Sequence, residues 1–173
     1  MATCFSIFSP FMNPEFKFGF LGGGLIAILF YADELFGTSY PAFTWVANLV
    51  IFAAIGVAVY LAMREKRTSD PATFVFAKAL LTGAITCFYI SVIAGGYSYA
   101  YARFVNPDKA AQVIAAKEKE WTAADKAPDF IEKQKQIIRT TYSPAGQIES
   151  TVGVIMVLGL LFSGGLALGM KKK

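Results

Sequence analysis

Histidine is absent from this 173-residue chain, and cysteine occurs only at Cys4 and Cys87. Without an imidazole, the chain has no bis-histidine haem ligation, no histidine-bound zinc site and no Ser-His-Asp triad. The two cysteines are far apart in sequence and lack the spacing of a metal-binding pair. We therefore expect no cofactor and no metal to be bound by the side chains of this chain.

Charge is scarce inside the long apolar stretches. No carboxylate pair lies at the centre of such a stretch to relay protons, and no glycine-rich phosphate loop follows a strand pattern. Asp33 and Glu34 are adjacent, so on a helix they point about 100° apart and are poorly placed to share one substrate. These absences predict that the chain is not an enzyme.

The chain is rich in apolar residues, which make up 55% of the sequence. Four stretches are long enough to cross a hydrocarbon core of roughly 30 Å at about 1.5 Å per helical residue. Backbone polar groups in lipid must bond internally, so these stretches are predicted to be helices. They cover about residues 16–35, 42–63, 74–101 and 150–170. The sequence thus predicts an all-α, polytopic membrane protein, with one membrane domain over residues 1–173.

Basic residues mark the predicted cytoplasmic side. Arg64–Arg67 follow the second span and Lys171–Lys173 close the chain, whereas the turn after the first span is acidic at Asp33 and Glu34. By the positive-inside rule, both termini and the second connection face the cytoplasm. These clusters account for the net charge of +4, so the expected partner is the lipid bilayer and not nucleic acid.

The third connection, about residues 106–142, is predicted to form a helical hairpin outside the membrane. Asn106-Pro107-Asp108 is typical of a helix start, because Asn caps free amides and Asp favours the positive end of the helix dipole. A break at Ala123–Pro128 separates two helices, and Ser143-Pro144 begins the last span. Apolar residues recur at helical spacing, namely Val113, Ile114, Trp121, Phe130, Ile137 and Ile138. These stripes pack on each other, lie along the outer leaflet, or dock a partner. We place Trp121 in particular at a docking contact, because Trp is frequent among binding hot spots.

Polar residues inside the predicted spans are the other candidates. They are Asn48, Thr82, Thr86 and Lys78. Contacts between helices explain the uncharged residues, and anchoring at the membrane interface explains the lysine. The alternative is that they contact a substrate, with the lysine binding a lipid phosphate. Gly19 and Gly23 lie four residues apart in the first span, which predicts close helix packing within the chain or in an oligomer.

The most distinctive stretch is Tyr97–Asp108, in which three tyrosines leave a span and Asn-Pro-Asp opens a helix. Four further short motifs are characteristic of the chain, namely Phe16-Lys17-Phe18-Gly19, Phe76-Ala77-Lys78-Ala79, Tyr142-Ser143-Pro144 and the terminal lysines. Together they resemble a family of small Bacteroidota membrane proteins, the domain-of-unknown-function family forty-one ninety-nine. The resemblance implies a bacterial inner-membrane protein with four spans, a long outer connection between the third and fourth, and no assigned catalytic residues. The aromatic start of the chain, Phe5 to Phe20, departs from the family pattern.

We expect a non-enzymatic accessory or scaffold subunit of a larger membrane complex, which contacts other membrane-protein subunits through its hairpin and glycine faces. An accessory subunit of a respiratory or photosynthetic complex, with cofactors held by its partners, is a special case. The alternative is a carrier or flippase component for a lipid-linked or small amphipathic substrate. A water-accessible cavity between the spans favours that alternative.

Overall fold

The computed structural model describes residues 13–36, 41–71 and 74–169, and these residues form helices without any strand. The long apolar helices are α1 (Pro14–Phe36), α2 (Pro41–Ser69), α3 (Phe76–Ala100) and α6 (Pro144–Gly169). Between α3 and α6 lie α4 (Lys109–Ala123) and α5 (Pro128–Thr141). Each of the four long helices can cross a membrane by length and composition. The predicted all-α fold, with four spans and a helical hairpin between the third and fourth, is confirmed.

α2 and α6 extend furthest beyond the predicted spans. α2 continues to Ser69, because Arg64–Arg67 remain helical after the apolar stretch has ended. α6 begins at Pro144, where the Ser143 hydroxyl accepts a hydrogen bond from the Gly146 amide at 3.0 Å. Hydropathy marks the length that crosses the membrane, whereas capping and the fixed backbone of proline decide where a helix begins.

The start of α4 differs from the prediction. Tyr101–Val105 form a π-helical turn after α3, and the Asn106 amide donates to the Tyr101 carbonyl at 3.0 Å, which closes that turn. α4 begins only at Lys109, and the Asp108 side chain before it makes no capping hydrogen bond. Asn106 therefore ends the π turn and does not cap α4.

The chain divides into two compact units. The first contains the chain up to Ala94 and from Val152 onwards, and the second contains Gly95–Thr151. The core of the first unit is built from buried apolar side chains of α1, α2, α3 and α6, among them Ile26, Ile55, Val59, Met63, Ile90 and Ile155.

Glycine allows close contact between α1 and α3 within the first unit. A Cβ added at Gly19 would lie 2.5 Å from the Tyr89 Cβ, and one added at Gly23 would lie 2.8 Å from the Ile93 Cβ. Real Cβ atoms do not approach this closely, so both positions exclude a larger residue unless the helices move apart. The close packing predicted from Gly19 and Gly23 is confirmed, and it lies within the chain.

Candidate functional site: a cavity with charged and apolar walls at one end of the first unit

A cavity of about 320 Å³, lined by both charged and apolar residues, lies where the start of α1, the end of α2 and the start of α3 meet. Two sequence candidates, Lys78 and Thr82, are brought together in its wall. The lining residues are Asn13, Glu15, Lys66, Lys78, Leu81, Thr82, Ile85 and Tyr89.

The antiparallel course of α1 and α2 places charges of opposite sign side by side. Near the start of α1, Glu15 comes two residues before Lys17. Near the end of α2, Glu65 is followed directly by Lys66. The Lys17 Nζ lies 2.9 Å from the Glu65 Oε2, and the Lys66 Nζ lies 2.9 Å from the Glu15 Oε1. These two ion pairs hold the start of α1 against the end of α2.

Glu15 is the most deeply buried charged residue at this end. Its side chain is 7% exposed, against 37% for Glu65 in the neighbouring pair. One carboxylate oxygen, Oε1, bonds to Lys66, but the buried Oε2 has no hydrogen-bond partner among the residues that the structure describes. A buried acceptor left without a donor is destabilising by about 1–3 kcal/mol. Glu15 therefore carries a buried acceptor that no donor among the described residues satisfies.

Lys78 and Thr82 lie on the face of α3 that lines the cavity. The Lys78 Nζ is 2.7 Å from the Asp70 Oδ2, and its side chain remains 32% exposed. Lys78, Thr82, Ile85 and Tyr89 follow one another at helical spacing, so this wall changes from polar at the start of α3 to apolar further along. The arrangement is suited to a ligand with one charged end and one apolar end.

Thr86 and Asn48 are placed elsewhere. Thr86 is fully buried, and its hydroxyl donates to the Thr82 carbonyl of its own helix at 2.8 Å. Asn48 is exposed on α2 and does not line the cavity. The four polar candidates are thus split, with two at the cavity, one satisfied inside α3 and one on the outer surface of α2.

The six candidate partner-binding residues lie on the hairpin of the second unit. Trp121 and Phe130 meet edge to face with ring centroids 6.4 Å apart, and the Lys135 Nζ lies 2.7 Å from the Glu118 Oε1. Val113, Ile114, Trp121 and Ile138 are half-buried, whereas Phe130 and Ile137 are exposed. The stripes pack on each other in part, and docking of a partner stays a prediction.

Glu15 and Lys66 were not predicted as site residues. Lys66 was interpreted only as a topology signal, and Glu15 had no interpretation. A signal was present in the charge order, because an acid and a base near the start of α1 match an acid and a base near the end of α2. Whether those charges meet depends on how the two helices pack, which composition does not give.

Four long apolar helices, with charged residues at their ends, define a multi-pass helical membrane protein. Residues 17–172 match the family described as "Protein of unknown function (DUF4199)". The chain belongs to this family, which confirms the resemblance seen in its short motifs. No curated protein and no solved structure matches the chain.

Proposed function

We propose that this chain is a non-enzymatic accessory or scaffold subunit of a larger complex in a bacterial inner membrane. The observation that supports the proposal is the position of Asn48, a polar side chain exposed on an apolar span. The family itself has no assigned function, so the argument depends on the chemistry of this surface.

Asn48 lies seven residues after the start of α2, which places it about 10 Å along the helix at about 1.5 Å per residue. Its amide has two donors and an acceptor oxygen, and hydrocarbon supplies a partner for none of them. It makes no side-chain hydrogen bond to another described residue. The exposed residues beside it, Trp45 and Leu49, are apolar and suit lipid and protein equally. The hydrogen-bonding groups of Asn48 are therefore best satisfied by a polar group on a helix of another subunit.

The test is extraction of the tagged chain from its native membrane in a mild detergent, followed by native electrophoresis and mass spectrometry. The proposal expects the chain to migrate in a complex well above its own 18.8 kDa, with neighbours in fixed proportion. Asn48→Leu should reduce recovery of those neighbours. Leu49→Ala, on the same exposed surface, is the matched control and should retain them. A wild-type chain that migrates alone would contradict the proposal.

A second candidate function is a carrier or flippase component for a lipid-linked or small amphipathic substrate. The cavity lined by Lys78 and Thr82 favours it, because the wall is polar at one end and apolar at the other. Reconstitution in vesicles with a fluorescent headgroup-labelled lipid tests this function by the rate at which the label becomes accessible to an external quencher. A rate equal to that of protein-free vesicles would remove the candidate, whereas acceleration that Lys78→Gln abolishes would support it.

A further inference from the structure

We propose that Arg64 and Arg67, near the end of α2, bind the phosphate of a phospholipid with a net negative headgroup, as in phosphatidylglycerol. The acyl chains of this lipid lie along the apolar side of α2 that leads to the two arginines. This inference goes beyond the proposed function and holds whether the chain acts as a subunit or as a carrier.

The two arginines are cations that no acid in the described part of the chain neutralises. Neither Arg64 nor Arg67 forms an ion pair or a side-chain hydrogen bond with another described residue. The acids at this end are already paired with lysines, in the pairs Glu15–Lys66, Glu65–Lys17 and Asp70–Lys78. The end of α2 therefore carries two positive charges that remain available to an anion.

The spacing of the two arginines suits one phosphate. They are three residues apart on α2, so they lie on the same side of the helix with Cβ atoms about 5–6 Å apart. Arg64 is exposed and Arg67 is half-buried. A guanidinium group has five N–H donors in a planar fork that matches two oxygens of a phosphate. Two such groups on successive turns are therefore placed to hold a phosphate between them.

The apolar residues on the same side of α2 indicate a lipid and not a soluble phosphate ester. Val57, Tyr60 and Arg64 are all exposed and follow one another at spacings of three and four residues, so they form one stripe. Val57 lies about 10 Å before Arg64 at the rise of an α-helix. Since α2 is long and apolar enough to cross a membrane, this stripe provides a surface for acyl chains that ends at the arginines.

The uncompensated charge decides which headgroup fits. Phosphatidylcholine carries a trimethylammonium group beside its phosphate, and this cation would approach Arg64 and Arg67. The described acids that could attract it are engaged by lysines. A headgroup with net negative charge brings no second cation, so it suits the two arginines better than a zwitterionic one.

The test compares two lipids that share their acyl chains and differ in headgroup charge. The full chain, in detergent micelles, is titrated with phosphatidylglycerol or phosphatidylcholine, and bound lipid is counted by native mass spectrometry. We expect phosphatidylglycerol to bind at least about tenfold more tightly, which corresponds to roughly 1.4 kcal/mol. Equal binding of the two lipids by the wild-type chain would overturn the proposal without need of any variant.

Variants then locate the site. Arg64→Gln and Arg67→Gln should each reduce the preference for phosphatidylglycerol, and the double variant should abolish it. Arg139→Gln is the matched control, because Arg139 is an exposed arginine on α5 in the second unit and its loss changes the net charge equally. A preference that survives the double variant, or that Arg139→Gln reduces as much as Arg64→Gln does, would overturn the assignment. Soluble glycerol phosphate is the last arm, and if it displaces the lipid at equal concentration, the apolar stripe contributes nothing and the ligand is not a lipid.

Discussion

At the scale of single residues, Gly23 and Gly24 are neighbours on α1 with opposite surroundings. A Cβ at Gly23 would lie 2.8 Å from the Ile93 Cβ and 3.1 Å from the Ile90 carbonyl oxygen, whereas a Cβ at Gly24 would meet nothing within 4 Å. We predict that Gly23→Ala destabilises the fold by about 1–3 kcal/mol through overpacking. Gly24→Ala should not, and the gain in helix propensity from Gly to Ala is common to both variants.

The measurement is reversible unfolding in detergent micelles, followed by circular dichroism as denaturant is added. The difference between Gly23→Ala and Gly24→Ala is the quantity of interest. If the two variants unfold at the same denaturant concentration, the close contact of α1 with α3 is not a feature of the folded protein.

At the scale of elements, two ion pairs connect α1 to α2 but differ in burial. Glu15 is 7% exposed beside Lys66, and Glu65 is 37% exposed beside Lys17. We predict that Lys66→Gln destabilises the helix pair by about 1–3 kcal/mol, because it leaves a buried carboxylate without a cation. Lys17→Gln should change stability by less than about 1 kcal/mol, since water reaches Glu65. The measurement is the free energy of unfolding of each variant by denaturant titration. A larger loss of stability for Lys17→Gln than for Lys66→Gln would contradict the burial of Glu15.

The α4–α5 hairpin allows a test that separates internal packing from docking. Trp121 contacts Phe130 edge to face, whereas Ile137 is 48% exposed. We predict that Trp121→Ala speeds hydrogen exchange across residues 109–141, because aromatic pairs contribute about 0.5–1.5 kcal/mol beyond the area they bury. Ile137→Ala should leave the exchange unchanged.

Co-purification of both variants with their native neighbours addresses docking. Loss of a neighbour in Ile137→Ala with an intact hairpin would support the predicted partner-binding stripe. Retention of every neighbour in both variants would return Trp121 to a purely structural role.

The elements were predictable from sequence to a greater extent than the site. Each span is recognisable in the sequence as a stretch of twenty or more predominantly apolar residues. A helix surrounded by lipid requires such a stretch to cross the hydrocarbon core. Hydropathy did not record that α2 continues past Met63, whereas the Ser143-Pro144 signal predicted the start of α6 at Pro144. Lys78 and Thr82 were candidates from their position in a span. Glu15 was missed because its burial arises only when α1, α2 and α3 close around it.

At the scale of the whole molecule, the same charges have two consequences. Arg64–Arg67 are a topology signal by their sign, yet Glu65 and Lys66 within that run also form the pairs that fix α1 to α2. The positive-inside rule predicts that this basic end faces the cytoplasm, and the same run of residues supplies both an acid and a base to the contact between α1 and α2.

The orientation is the last prediction. Thr68, near the end of α2, and Ala124, directly after α4, are both exposed, and one span, α3, separates them along the chain. The positive-inside rule places Thr68 in the cytoplasm and Ala124 outside. In a background with Cys4→Ser and Cys87→Ala, a membrane-impermeant thiol reagent added to spheroplasts should label Ala124→Cys at once. It should label Thr68→Cys only after the membrane is opened, which serves as the control for reactivity. Labelling of Thr68→Cys alone in sealed spheroplasts would reverse the topology, and labelling of both would show that α3 does not cross the membrane.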